Sequence, residues 1–268
     1  MIQVAVSGMP GRLASAVAAG VASAEDLELS AFYNPNRLGE SFLGLPVSTK
    51  HEEVAGDVIF ESTSPAVVLE NLRAWREAGR HVVVGTSGFT RERIEEVRSF
   101  WGDDGPGCLI VPNFSIGAVL MMLFAELAAP HFVGVEIIER HHHDKPDAPS
   151  GTSIATAARI AAAGGSSLED SEELLAGSRG ATVDGVRIHS LRLEATLSNQ
   201  EVALSRSGEL LSIHHVGTEY ESFVDGALLA IRYVASISGV TVGLDEALSI
   251  QDETSSPTRR SRPTATTE

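Results

Sequence analysis

Ile2-Gln3-Val4-Ala5-Val6-Ser7-Gly8-Met9-Pro10-Gly11-Arg12-Leu13-Ala14 decides the architecture of this chain. Ile2 to Ser7 is a short apolar run that reads as a strand, Gly8 and Gly11 mark a turn, and Ser15 to Ala24 is a helix former. Strand, glycine turn and helix in that order make the opening of a dinucleotide-binding unit. Without β-carbons, the backbone at Gly8 and Gly11 can approach a pyrophosphate at the helix N-terminus, while the small Ala14 lets helix and strand pack closely. Gly8, Met9, Pro10, Gly11, Arg12 and Leu13 are the predicted cradle. Any strand-to-helix turn favours glycine, so a single turn of this kind carries little weight until the unit repeats along the chain.

The same pattern recurs. Leu27 to Tyr33 is a strand ending in Asn34-Pro35-Asn36-Arg37, and Asp57 to Phe60 is another, leading through Glu61-Ser62-Thr63-Ser64-Pro65 to a helix from Ala66 to Gly79. His81 to Val84 closes on Gly85-Thr86-Ser87-Gly88-Phe89 before a helix from Arg91 to Trp101. Cys108 to Val111 ends in Pro112-Asn113-Phe114-Ser115-Ile116-Gly117. Strands alternating with helices predict an α/β fold with a doubly wound, mostly parallel, Rossmann-like sheet and ligands at the carboxyl ends of its strands. The end of the second strand is where such a fold reads the adenosine ribose. Asn34 stands there in place of an acid, and Arg37 is placed to face a 2′-phosphate, although Asn-Pro-Asn also reads as a plain turn.

Farther along, Val133, Val135 and Ile137 alternate with more polar positions as in a half-buried strand, and Ser153 to Ala163 is an Ala/Ile-rich helix former. Between them lie His141, His142, His143 and Lys145, predicted on a strand-to-helix loop. Ser150-Gly151-Thr152 opens the helix, so free N–H groups and the positive dipole end face the same space, which suits a small carboxylate. Two plainer readings stand beside it. Adjacent histidines can bind metal, but these lack the i, i+4 spacing or the companion ligands that would aim them at one ion, and no metal is expected. The stretch also has the proline and glycine punctuation of a solvated turn.

Gly164 to Gly185 reads as a flexible connection, and Val186 to Glu194, Gln200 to Ser205 and Leu210 to Val216 alternate as strands of a second α+β domain with a mainly antiparallel sheet. Ser222 to Ser238 is amphipathic, and a last short strand precedes Gly243. Residues 251–268 are Ser, Thr, Pro and Arg with almost nothing apolar, which predicts a disordered tail.

With 268 residues and 43% hydrophobic content, the chain can bury a full core and make two modest domains. Its 36 acidic residues against 20 Lys and Arg argue against a nucleic-acid partner. A single cysteine, Cys108, excludes a disulfide framework and fits a reducing compartment. With no span of the roughly 20 apolar residues a bilayer needs and no basic leader at Met1, the expectation is a cytoplasmic protein without a membrane partner.

The motif E-x-H-H-x-x-K-x-D-A-P-S-G-T, from Glu139 to Thr152, resembles the signature of the dihydrodipicolinate (4-hydroxy-tetrahydrodipicolinate) reductases of bacterial lysine and diaminopimelate synthesis. Gly11-Arg12-Leu13-Ala14 is similar to that family's G-R-M-G, and Gly85 to Phe89 and Pro112 to Gly117 match its G-T-[TS]-G-F and P-N-F-S-I-G. The resemblance covers nearly all of residues 1–250. It implies reduction of the cyclic imine derived from 4-hydroxy-tetrahydrodipicolinate by NADPH or NADH; the amide of Asn34 in place of an acid, with Arg37 near, predicts a preference for NADPH. It implies a dinucleotide-binding domain over 1–112 completed by 222–250, a substrate and oligomerisation domain over 113–221, and a homotetramer. Carried over position by position, His141 and Lys145 take the acid/base roles, while His142, Gly151 and Thr152 hold the dicarboxylate substrate. Besides the glycine cradle, Asn34, Arg37, Gly85, Thr86, Ser87, Val111, Pro112, Asn113 and Phe114 line the coenzyme. Leu193-Glu194 and Glu219-Tyr220 depart from relatives, which tend to have small or basic residues there. A reductase of another cyclic imine and a non-catalytic nucleotide sensor are the alternatives.

Overall fold

A computed structural model describes residues 1–168, 172–194 and 196–248. The expectation of a disordered tail over 251–268 lies outside the described residues. The first part runs β1 (Ile2–Ser7), α1 (Arg12–Ser23), β2 (Leu27–Tyr33), β3 (Ser41–Phe42), β4 (Leu45–Ser48), β5 (Val58–Glu61), α2 (Val68–Glu77), β6 (His81–Val84), α3 (Arg91–Trp101) and β7 (Cys108–Ile110). The second runs α4 (Ile116–Ala128), β8 (Gly134–His142), α5 (Gly151–Ala162), β9 (Ala181–Val183), β10 (Val186–Leu193), β11 (Ser198–Arg206) and β12 (Glu209–Gly217). The chain then returns through α6 (Val224–Tyr233) and β13 (Val240–Val242).

The first sheet has the order β13-β7-β6-β5-β1-β2-β4-β3, parallel throughout except for the β3–β4 edge pair. Its central strands are continuously apolar because both faces are covered. On one face Val4, Val6, Phe60 and Val83 pack with Ala14, Val17, Ala18 and Val21 of α1 and with Ala227, Ala230 and Ile231 of α6. On the other, Ala5, Ile59, Val82 and Val84 pack with Val68, Leu72 and Trp75 of α2 and Val97 and Trp101 of α3. The sheet is doubly wound, as the alternation predicts. Cys108 lies wholly inside this second layer, and burial pushes its thiol pKa up. It is a packing residue. Gly226 lets α6 close on the first part, because a Cβ there would collide with the Phe114 carbonyl.

The second sheet has the order β12-β11-β8-β10-β9 and is antiparallel except for the parallel pair β8–β10. Helices α4 and α5 cover one of its faces. Val135, Ile137, Ile188, Val202 and Leu204 from that face join Val119, Met122, Ala125, Ala157 and Ile160 in a core continuous with that of the first sheet. The opposite face bears Glu136, Ile138, Arg140, Leu193, Leu210 and Val216, and carries no helix among the described residues.

Three segments differ from the sequence-based expectation. The interval from Gly117 to Val133, for which no element is predicted, forms α4, whose Ile-Gly-Ala-Val-Leu-Met-Met-Leu-Phe run is too uniformly apolar to show a helical period. The supposed flexible connection of 164–185 contains β9, which pairs antiparallel with β10. His141 and His142 belong to β8 itself, so the loop between strand and helix begins only at His143.

Candidate active site

The β1–α1 turn is built by backbone geometry. Gly8 has φ +108°, and a Cβ on it would stand 2.5 Å from the Ser62 carbonyl oxygen, so no side chain fits. The Gly11 N–H donates to Gly8 O at 2.9 Å, and Gly11 caps α1 without any side-chain acceptor. The N–H groups of the first turn, at Arg12 and Leu13, are therefore not taken up by a cap and suit a phosphate. Across the strand ends, a Cβ on Gly85 would lie 2.8 Å from Phe114 and 3.2 Å from Leu13, which brings these three predicted positions together. The Gly85 N–H donates to Glu61 O and the Val111 N–H to Val84 O, continuing the sheet pattern into both loops. Thr86 is buried, whereas Pro10, Ser87 and Pro112 are exposed. This cradle fits a dinucleotide: it has close backbone approach, free donors and an apolar rim.

At the end of β2, where the sequence predicts the adenosine ribose, the structure adds a detail. Asn34 Nδ2 donates to Met9 O at 2.6 Å and its Oδ1 accepts from the Asn36 N–H at 3.0 Å. Both ends of the amide are used internally, so Asn34 ties β2 to the glycine turn instead of presenting a free acceptor. Arg37, three residues on, is exposed and pairs with Glu40 at 3.1 Å.

The second centre sits at the end of β8, where cross-strand register sets out rows on the helix-covered face. An apolar row, Ile188–Ile137–Val202, is followed by Ser190–Glu139–Gln200 and then by Arg192–His141–Ser198. Glu139 is fully buried, and its Oε2 contacts His141 Nδ1 while its Oε1 accepts from Arg192 Nη1 at 3.0 Å. Burial alone would raise its pKa, but hydrogen bonds from His141, Ser190 and Arg192 outweigh it and pull the carboxyl down to about 2. His141 is only 8% exposed, and its Nε2 lies 3.3 Å from Ser198 Oγ. Arg192 also donates to the Asp147 carbonyl, and Lys145 Nζ donates to Asp147 Oδ1 at 2.6 Å. His141 and Lys145 are thus joined through Glu139, Arg192 and Asp147.

His142, the next residue of the strand, leaves on the opposite face from His141 and pairs with Asp144, while His143 pairs with Glu194 at 3.3 Å. Each of His141, His142, His143 and Lys145 thus lies against a carboxylate.

The α5 start is held by its own polar layer. Ser150 caps the helix by accepting from the Ser153 N–H at 3.2 Å, and Ser153 donates to Gln200, which in turn donates to Thr156. Gly151 faces open space, with no atom within 4 Å of where its Cβ would be. Thr152 Oγ1 accepts from Asn113 Nδ2 at 3.1 Å, which bridges the loop after β7 and the helix start. Asn113 Oδ1 accepts from the Ser115 N–H, and Ser115 Oγ lies 2.9 Å from His215 Nε2 on β12. Glu139, Arg192, Ser198 and His215 were not among the predicted site residues. For Glu139 a signal existed: in a strand, residues two apart share a face, so Glu139 had to accompany His141.

Residues 2–114 match the family model described as "Dihydrodipicolinate reductase, N-terminus", and residues 117–248 match "Dihydrodipicolinate reductase, C-terminus". A 4-hydroxy-tetrahydrodipicolinate reductase of Nocardia farcinica is 44% identical over 256 residues, covering 93% of this chain and 99% of that one. Its counterpart from Streptomyces griseus is 43% identical over 256 residues, covering 93% and 98%. Among solved structures, a dipicolinate-bound dihydrodipicolinate reductase from Paenisporosarcina sp. TG-14 superposes with a TM-score of 0.80 at 34% identity, covering 92% and 99%. A probable dehydrogenase from Thermotoga maritima, with a TM-score of 0.63 at 15% identity over 92% of both chains, shares the fold alone.

Proposed function

The chain belongs to the dihydrodipicolinate reductase family, and from that premise we propose that it reduces the cyclic imine derived from 4-hydroxy-tetrahydrodipicolinate to tetrahydrodipicolinate in the diaminopimelate and lysine pathway. When bound, a reduced nicotinamide dinucleotide supplies the hydride. The uncapped first turn of α1 and the bare backbone of Gly8 and Gly11 hold its pyrophosphate, with Gly85, Thr86, Ser87 and residues 111–114 beside it. Residues 1–112 with 222–250 form the coenzyme part and 113–221 the substrate part.

Electron density that arrives with hydride accumulates on the conjugated imine and calls for a proton. His141 delivers it from Nε2, since Nδ1 is held by Glu139. Lys145, kept near by Asp147, supplies positive charge to the same developing anion. The carboxylates of the substrate are received by the open start of α5, where Gly151 offers a free N–H and Thr152 a hydroxyl, and His142 joins them only by leaving Asp144 and turning in from the far face of β8. The observation that carries this reading is the Asn113–Thr152 hydrogen bond, which sets the substrate end of α5 directly against the loop that closes the coenzyme strands.

Absorbance at the nicotinamide band, followed with freshly made intermediate, tests it. NADPH and NADH should both be oxidised, NADPH with the higher kcat/KM, and His141→Gln should lower kcat by about 10²–10⁴-fold with coenzyme affinity unchanged. No oxidation above the rate without enzyme would refute the function. Near-normal kcat in the variant would remove His141 from the chemistry. The helix-free face of the second sheet supports association of chains; that four associate, and in the cytoplasm, is part of the same proposal.

A further inference from the structure

We propose that Glu139 is the positioning residue of the site: by holding Nδ1 of His141 it commits Nε2 to the proton that substrate receives. This rests on His141 being the proton donor. The geometry leaves Glu139 little other role in the reaction, because it is fully buried in the middle strand of the sheet with Ser190 and Gln200 as its lateral neighbours. A buried carboxylate is costly unless charge and hydrogen bonds meet it. Two side chains do so, the guanidinium of Arg192 from β10 and the ring of His141 from β8 itself. The neighbour of Glu139 on β11, Gln200, is neutral and bonded to the Ser153 and Thr156 hydroxyls of α5. Beyond Arg192, the loop contributes Asp147 and Lys145 as a second matched pair.

Arg192 by itself would satisfy one carboxylate oxygen. The second oxygen lies in contact with Nδ1 of His141, and an imidazole whose Nδ1 faces a carboxylate oxygen carries its proton there, so it binds and releases a proton at Nε2, the nitrogen beside Ser198 Oγ. In the step itself the Nε2–H bond breaks and the proton passes to the substrate atom that has taken up the electron pair displaced by hydride addition. Nδ1 keeps its proton on Glu139 throughout, and Glu139 stays ionised. Arg192 holds the carboxylate on its other side, so the ring has one orientation before substrate arrives.

The test begins with the wild-type full-length protein, free of ligands and labelled with ¹⁵N-histidine, with the His141 signals assigned by difference from His141→Gln. Neutral His141 should show a protonated Nδ1 and a bare Nε2, and the reverse tautomer would overturn the proposal. Glu139→Gln keeps the shape and an acceptor but removes the charge that favours the imidazolium. It should lower kcat by about tenfold to a hundredfold, leave KM for the intermediate within about twofold, and move the alkaline limb of kcat/KM down by about one pH unit. A merely structural carboxylate would leave that limb in place, and a wild-type pH profile in this variant would likewise overturn the proposal. If Glu139→Gln fails to fold, the tautomer decides alone. If wild-type protein does not turn the intermediate over, the function fails while the tautomer still reports on Glu139.

Discussion

At the scale of the residue, two side chains carry consequences beyond the chemistry. Glu139 is ionised in the fold far below the ordinary carboxylate range, with a pKa of about 2 against 4.5. A depressed acid contributes stability that is complete above its unfolded pKa and is lost as pH falls towards the folded one. Urea midpoints should therefore drop between about pH 5 and pH 3, and the drop should be shallower in Glu139→Gln; parallel curves would mean that Glu139 is not the group being titrated. Arg37 stands at the coenzyme end. With Asn34 consumed by Met9 and Asn36, no carboxylate at that position repels a 2′-phosphate, and Arg37 need only leave its exposed pair with Glu40 to meet one. Arg37→Ala should reduce kcat/KM for NADPH by about tenfold and for NADH by much less, as expected for a lost charge-assisted bond of about 1.5 kcal/mol. Equal losses would show that Arg37 does not read the phosphate.

At the scale of the element, Ser115 has two tasks. It accepts from the Ala118 N–H as the cap of α4 and contacts His215 on β12, fastening the helix that follows the coenzyme loop to the edge of the second sheet. Ser115→Ala should cost about 1–2 kcal/mol, a fall of roughly 2–8 °C in Tm for a chain of this size, and an unchanged melting curve would assign both contacts no weight. How much of such detail the sequence discloses depends on periodicity. β2, β6 and α3 are legible to the residue because each is a clean apolar or amphipathic run between turn residues. The helix α4 is invisible because it is apolar nearly all round: one face packs on the second sheet while Phe124 and Leu127 stay exposed, so no polar stripe sets a period. The site divides in the same way. His141, Lys145 and Thr152 lie in one continuous motif and can be read from it. Arg192, Ser198 and His215 come from separate strands and join the site only through register, which no local pattern encodes.

At the scale of the whole molecule, the helix-free face of the second sheet presents Leu193, Leu210 and Val216 to solvent, each at least 43% exposed. Apolar side chains on an uncovered sheet face mark an association surface. Light scattering should give about four times the 28.3 kDa of one chain, and Val216→Asp should lower that mass by burying an unpaired charge in the interface. A wild-type protein that stays single at micromolar concentration would refute the assembly. The same sheet divides the site in time. His141 lies near the end of a strand hydrogen-bonded on both sides, to β10 and to β11, whereas Lys145 lies on the irregular stretch between that strand and α5. Backbone amides of β8 should therefore exchange with deuterium only on global opening, and those of 143–149 within the ordinary fluctuations of the native state. Substrate should slow the second set and leave the first untouched: the proton donor waits in place, and the lysine arrives with the ligand.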